Sequence, residues 1–209
     1  LVDHAGLDGP VARIVHPGSN FVDQQPVARQ HEHLDPHDAD IVQRVQETAG
    51  EINKRRIAML QPDSYVAEQF RALRGRIDAL AAHRPIRTLA VSSPLAGEGK
   101  TTAAINLAAV TSMSVGRRVL LMDCDMRKPR IHQCFGKPRE PGLSDVLVGG
   151  KKLQEVIQPA SLENLEVLTC GHVPPNPSEI LGSNKMTQLA GALRKHYTRI
   201  VIDSPPLTA

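Results

Sequence analysis

Three segments of this 209-residue chain fall in the order that a phosphate-handling nucleotide site requires. The first is Ser92-Ser93-Pro94-Leu95-Ala96-Gly97-Glu98-Gly99-Lys100-Thr101-Thr102. The second is Val119-Leu120-Leu121-Met122-Asp123-Cys124-Asp125-Met126-Arg127, and the third is Arg199-Ile200-Val201-Ile202-Asp203-Ser204-Pro205-Pro206. Each ends a strand-like apolar run with a group that can touch phosphate or magnesium. Three such endings in sequence describe the ligand edge of an open parallel sheet. The expectation is an α/β chain that binds a nucleotide.

The intervening pattern agrees. Strands are expected at 88–92, 119–123, 165–169 and 200–203, with helices at 99–112 and 184–196 and short helices between Pro129 and Ile157. Strands interleaved with helices give a P-loop NTPase-like, mostly parallel sheet, and right-handed crossovers place helices on both of its faces. Residues 1–34 are rich in Gly, Pro, Gln and His with no apolar period, and read as a flexible, linker-like arm. His31, His33 and His37 fall in or beside that tract and are assigned no metal. Asp35-Pro36 reads as the cap and first position of a helix running to about Met59, so 35–60 is an N-terminal helix and 61–209 the nucleotide domain. Asp63 or Ser64 caps a second helix, with Val66, Phe70, Leu73, Ile77 and Leu80 recurring at helical spacing until His83 and Pro85.

Composition narrows the partners. Twenty-five basic against 22 acidic side chains leave a net charge of +3, too even a balance for duplex nucleic acid, so none is expected. Three unpatterned cysteines, Cys124, Cys134 and Cys170, suit a reducing compartment and predict a cytoplasmic location. No apolar run approaches the roughly 20 residues that cross a bilayer. The chain opens on Leu1 and stops six residues after Asp203, which reads as a fragment or a processed piece.

The loop from Ala96 through Thr102, comprising Ala96, Gly97, Glu98, Gly99, Lys100, Thr101 and Thr102, is the expected ATP cradle. Its glycines allow close approach, and its backbone amides and helix dipole face the phosphates. Lys100 would lie along the β and γ phosphates and the Thr101 hydroxyl would ligate the bridging Mg2+. The alternative is an ordinary glycine-rich turn. Pro94 stands where such loops lead with glycine, and Leu95 stands where one subset of P-loop ATPases carries a signature lysine. Asp123 and Asp125 alternate across Cys124, so their side chains are expected to point together toward the mouth of the loop, where they hold magnesium waters or accept a proton. Asp203 ends a third apolar run and would support the metal from a neighbouring strand; its alternative is a turn cap. Arg127 would neutralise phosphate or stand solvated. Cys124 is expected to face the other way as a small buried residue.

These residues resemble the bacterial tyrosine kinases built on a P-loop ATPase domain, which regulate capsule and exopolysaccharide export. The resemblance runs from about Tyr65 to Leu207. It adds to the motifs above Lys128-Pro129, Gly142-Leu143-Ser144-Asp145-Val146-Leu147, Pro174-Pro175-Asn176-Pro177-Ser178-Glu179-Ile180-Leu181 and Leu207. It implies that Lys100 and Thr101 hold magnesium ATP, that Asp123 polarises a tyrosine hydroxyl, and that Asp125 and Asp203 support the metal. It also implies that Glu68, Arg71 and Arg74, one helix face at i, i+3 and i+6, contact the next subunit of a ring-like homo-oligomer; the plain alternative is a surface salt-bridge ladder. A tyrosine-rich tail phosphorylated in trans, a membrane adaptor or polysaccharide co-polymerase, a cognate phosphatase and a peripheral place at the inner face of the cell membrane follow from the same resemblance. Tyr65 and Tyr197, the two tyrosines of this chain, lie in no cluster, and Tyr197 reads as a helix-end surface or packing residue. The competing readings are a partition- or septum-type ATPase, disfavoured by Leu95, and a non-catalytic scaffold gated by nucleotide.

Overall fold

The computed structural model describes residues 49, 50 and 52–208. The 1–34 arm and the helix start at Asp35-Pro36 lie outside the described residues. Helical backbone at 52–55 is interrupted by a turn at Arg56 and resumes as α1 (Ile57–Leu60). The helix α2 (Tyr65–His83) follows, capped by Ser64, whose hydroxyl accepts from the Ala67 amide at 3.2 Å; of the two candidate caps, serine is the one used.

Five strands form one sheet: β1 (Thr88–Val91), β2 (Val119–Asp123), β3 (Ile157–Pro159), β4 (Leu165–Leu168) and β5 (Arg199–Asp203). Their spatial order is β1-β5-β2-β4-β3, parallel except for β3, which runs antiparallel to β4. β2 is buried along its whole length, as expected of a central strand covered on both faces and written as the unbroken run Val-Leu-Leu-Met. β1 pairs with β5 alone among the described residues, leaving one side of it without a strand partner.

Alternating strand residues feed two cores. Leu120, Met122, Leu168 and Ile200 meet Leu143 and Leu147 of α5 (Leu143–Leu147) and Leu189 and Leu193 of α7 (Asn184–His196) on one face. Val119, Leu121, Val167 and Val201 meet Ala104, Ile105 and Ala108 of α3 (Lys100–Ser112) and Ile131, Cys134 and Phe135 of α4 (Ile131–Phe135) on the other. Helices cover both faces, as the alternating pattern requires. The short α6 (Pro177–Leu181) and the strand β3 were not anticipated. β3 has only three residues, ends in proline and carries no readable period.

The face expected of α2 is only half right. Phe70 and Ile77 pack against Ala58, Ala67, Leu107 and Val110, but Val66, Leu73 and Leu80 are 37%, 42% and 64% exposed. The buried stripe runs through Ala67, one position on from Val66, because a methyl side chain lets α2 approach α1 and α3 closely. Tyr197 settles as a packing residue: it is buried, and its hydroxyl donates to Glu166 at 2.7 Å. All three cysteines are free and buried, Cys124 within the α7-side core. No helix of the described residues is long and apolar enough to cross a membrane.

Candidate nucleotide site

The three strand ends come together as the motifs require. β2 and β5 are neighbours in a register that sets Asp123 beside Asp203, and β1 lies on the far side of β5 and leads into the phosphate loop. Gly97 and Gly99 adopt left-handed backbone with φ of +82° and +87°, which side-chain-bearing residues disfavour, and the chain enters α3 directly at Lys100. Lys100 is buried, and its Nζ donates to Leu95 O at 2.8 Å and Ser93 Oγ at 3.0 Å. Leu95 therefore contributes its carbonyl to the loop whatever its side chain. Its amide donates to Glu98 Oε2 at 2.9 Å, and that bond holds the Glu98 carboxyl below its usual range. Glu98 shapes the loop, while Ala96, Gly97, Gly99, Lys100, Thr101 and Thr102 line the adjoining cavity of about 710 Å³.

At the cavity floor the Thr101 hydroxyl donates to Asp203 Oδ2 at 2.6 Å. The other carboxylate oxygen of Asp203 is buried with no partner in the structure. Burial pushes this carboxyl up to about 6, the Thr101 hydrogen bond and the Lys100 and Arg55 charges oppose that rise, and Asp125 adds to it. An acceptor without a donor, beside a hydroxyl and a lysine, is a place a cation or its water would satisfy. The donor set fits Mg2+, which prefers one or two carboxylates and keeps much of its water. No group of three or more His, Cys, Asp or Glu side chains placed to share a metal occurs among the described residues.

The expectation that Asp123 points with Asp125 toward the loop mouth needs correction. Asp123 is fully buried, and its carboxylate accepts from the amides of Asp125 at 3.2 Å, Arg130 at 3.2 Å and Ile131 at 3.1 Å. It anchors the turn from β2 into α4. Burial pushes it up to about 7, with the neighbouring Asp203 adding to the rise and the Ile131 amide opposing it. Asp125 does line the cavity, and its Oδ1 accepts from the amides of Arg127 and Lys128, folding that segment across the opening. Arg127 is exposed and lines the cavity too, together with Lys128 and Arg130.

Lys54 and Arg55, in the helical segment that precedes α1, also line this cavity. Sequence reasoning missed them because the arm carried no recognised motif; the Lys54-Arg55-Arg56 run was the available signal. Glu68, Arg71 and Arg74 share one side of α2, but their side chains are engaged within the chain. Arg71 pairs with Glu68 at 2.8 Å and donates to Pro62 O, and Arg74 donates to Val110 O at 2.7 Å.

Residues 86–209 match the AAA domain family. The tyrosine-protein kinase YwqD of Bacillus subtilis (strain 168) is 38% identical over 153 residues, covering 73% of this chain and 64% of its own length. Among solved structures, the BceF tyrosine kinase domain superposes with a TM-score of 0.69 at 32% identity, covering 82% of this chain and 69% of that one. The VpsO kinase domain gives 0.60 at 35% identity, covering 70% and 75%. The chain belongs to the bacterial tyrosine-kinase domain family. This kinase domain spans less than two thirds of the length of the first curated relatives that it matches, and about a fifth of larger ones. Its fold and phosphate-loop architecture are those of the P-loop class.

Proposed function

We propose that this kinase domain transfers the γ-phosphate of magnesium ATP to tyrosines of a neighbouring subunit, in a protein that regulates polysaccharide synthesis and export. The observation that carries the reading is the Thr101–Asp203 hydrogen bond beneath the phosphate loop, with the second Asp203 oxygen buried and unpartnered. Thr101, Asp125 and Asp203 would hold Mg2+, which when bound supplies charge neutralisation at the transferring phosphoryl group. Lys100 leaves its loop contacts for the β and γ phosphates, the glycine amides of 97–99 cradle them, and Arg127 offsets charge from the opposite wall. Asp123 acts through the turn it organises, holding Asp125 and Arg127 in place, and Asp125 is the carboxylate positioned to meet an incoming hydroxyl. Tyr197 is disqualified as an acceptor by its burial and its bond to Glu166, whereas Tyr65 is 77% exposed.

The same reading includes a ring-like homo-oligomer, with Glu68, Arg71 and Arg74 at the subunit contact, a membrane adaptor or co-polymerase at the inner face of the cell membrane, and a phosphatase that resets the tyrosines. Anti-phosphotyrosine blotting of the full-length protein with magnesium ATP, beside Lys100→Met, tests the activity. Signal in the parent and none in the variant is the expected result. Absence from both, with nucleotide binding retained, would replace the kinase by a nucleotide-gated scaffold.

A further inference from the structure

The nucleotide cavity has a wall that none of its motifs supplies. Lys54 and Arg55 line it from the helical segment that precedes α1, together with the phosphate loop and with Asp125, Arg127, Lys128 and Arg130. The backbone there is tied to the phosphate-loop helix by one residue. Asn106, fully buried on α3, accepts from the Ala58 amide at 2.8 Å and donates through Nδ2 to Arg55 O at 3.0 Å and Thr102 O at 2.8 Å. The same amide group thus holds a phosphate-loop residue and Arg55, so the position of the arm is set relative to the loop itself. Ala58 is buried against Ala67, Leu107 and Val110 and closes the joint.

The Arg55 side chain reaches inward as well as lining the cavity: it is hydrogen-bonded to the buried Cys134, and while burial is the main influence on both that thiol and the Asp203 carboxyl, raising each, Arg55 opposes the rise in both. Arg56, one residue on, points elsewhere, its Nη2 donating to Asn53 Oδ1 at 3.3 Å. A guanidinium at a cavity lined also by Lys100 and four further cations adds to a concentration of positive charge that favours an anion, and its planar fork matches phosphate oxygens.

We propose that Arg55 is a phosphate-binding residue of the nucleotide site, delivered by the segment before the kinase fold and docked there by Asn106. The inference rests on the nucleotide reading of the cavity and adds a side to it. The segment is then part of the site: bound polyphosphate holds it down, and its displacement removes a cation from the nucleotide.

The full chain is titrated with fluorescent mant-ATP and magnesium. Arg55→Ala is expected to weaken binding about ten- to a hundredfold, the range of a lost charge-assisted contact, and Arg55→Lys to restore part of the loss. Lys195→Ala, which removes an exposed charge on α7, leaves affinity unchanged. Lys100→Ala reports on the nucleotide site as such. If Lys100→Ala loses ATP while Arg55→Ala binds like the parent, the Arg55 inference is overturned and the site stands; if neither loses ATP, the nucleotide reading itself fails. Tryptic cleavage of the parent after Lys54 and Arg55 gives a second measurement that needs no variant. Magnesium ATP is expected to slow it several-fold, and cleavage indifferent to saturating ATP overturns the proposal.

Discussion

The hydroxyl of Thr101, in the first turn of α3, donates to the carboxylate of Asp203 at the end of β5 across 2.6 Å. This bond joins the phosphate loop to a strand end 102 residues away and pre-orients two of the three groups of the proposed magnesium site. Thr101→Val keeps the shape and removes the hydroxyl. Nucleotide affinity measured with magnesium should fall by about tenfold or more, as for loss of a bond to a charged group. In excess EDTA the parent and the variant should bind alike, and an equal loss under both conditions would argue against a metal role.

Asp123 yields a pH prediction whose sign does not depend on the absolute stability of any variant. Its carboxyl is pushed from 3.8 up to about 7, chiefly by burial and next by Asp203. A folded-state value above the unfolded one means that folding takes up a proton between the two. The stability this group contributes is fully present below about pH 4 and is lost as pH rises through about 7. Asp203, raised to about 6, pulls in the same direction. Denaturant melts of the nucleotide-free protein should therefore show the parent losing ground to Asp123→Asn from pH 5 to pH 8, by up to about 3 kcal/mol. A difference that stays flat over that range would sink the assignment.

Arg199 sits at the start of β5, 2% exposed, with Nη2 bonded to Asp78 Oδ1 at 2.7 Å and Arg117 on the other Asp78 oxygen at 3.2 Å. Its Nε and Nη1 are buried without partners. Asp78 is the anion that lets this cation stay inside, and it ties α2 to the sheet. Asp78→Ala should cost about 3 kcal/mol in urea unfolding by stranding the guanidinium. Asp78→Ala combined with Arg199→Met should recover most of that loss, because no buried charge remains. A double variant as unstable as Asp78→Ala would show that packing, not charge, dominates.

Much of this site was legible because strand ends are marked by chemistry: an apolar run closing on an acid, or on Gly-Glu-Gly-Lys, has few other uses. What escaped the reading has physical reasons. The alternation rule placed Asp123 and Asp125 together, but β2 stops at Asp123, and the Asp125 amide turns back onto its carboxylate, so strand geometry no longer governs the second residue. On α2 the large apolar residues were the visible signal, yet close helix approach selected Ala67, which carries almost no hydrophobic weight. Arg55 was invisible because its partners are Asn106 and a cavity wall brought near only by the fold.

The Gly142-Leu143-Ser144-Asp145 segment was read only as part of a resemblance, and the structure supplies its cause. The amides of Leu143 and Ser144 donate to the carbonyls of Thr169 and Cys170, continuing past the end of β4, and Asp145 Oδ2 accepts from the Gly142 amide at 2.7 Å. A Cβ on Gly142 would stand 2.3 Å from Gly171 N and 2.4 Å from Thr169 O, both backbone atoms with no side chain to swing aside. Gly142→Ala must therefore separate the two segments and break those bonds. We expect a loss of about 3 kcal/mol or more in urea unfolding, at the upper end of overpacking costs. Gly150→Ala, whose added carbon would meet nothing closer than 3.6 Å, should be within about 1 kcal/mol of the parent. Hydrogen exchange should show the Gly142→Ala damage concentrated at Leu143 and Ser144, and uniform acceleration across the sheet would instead indicate that the motif has a global role in folding.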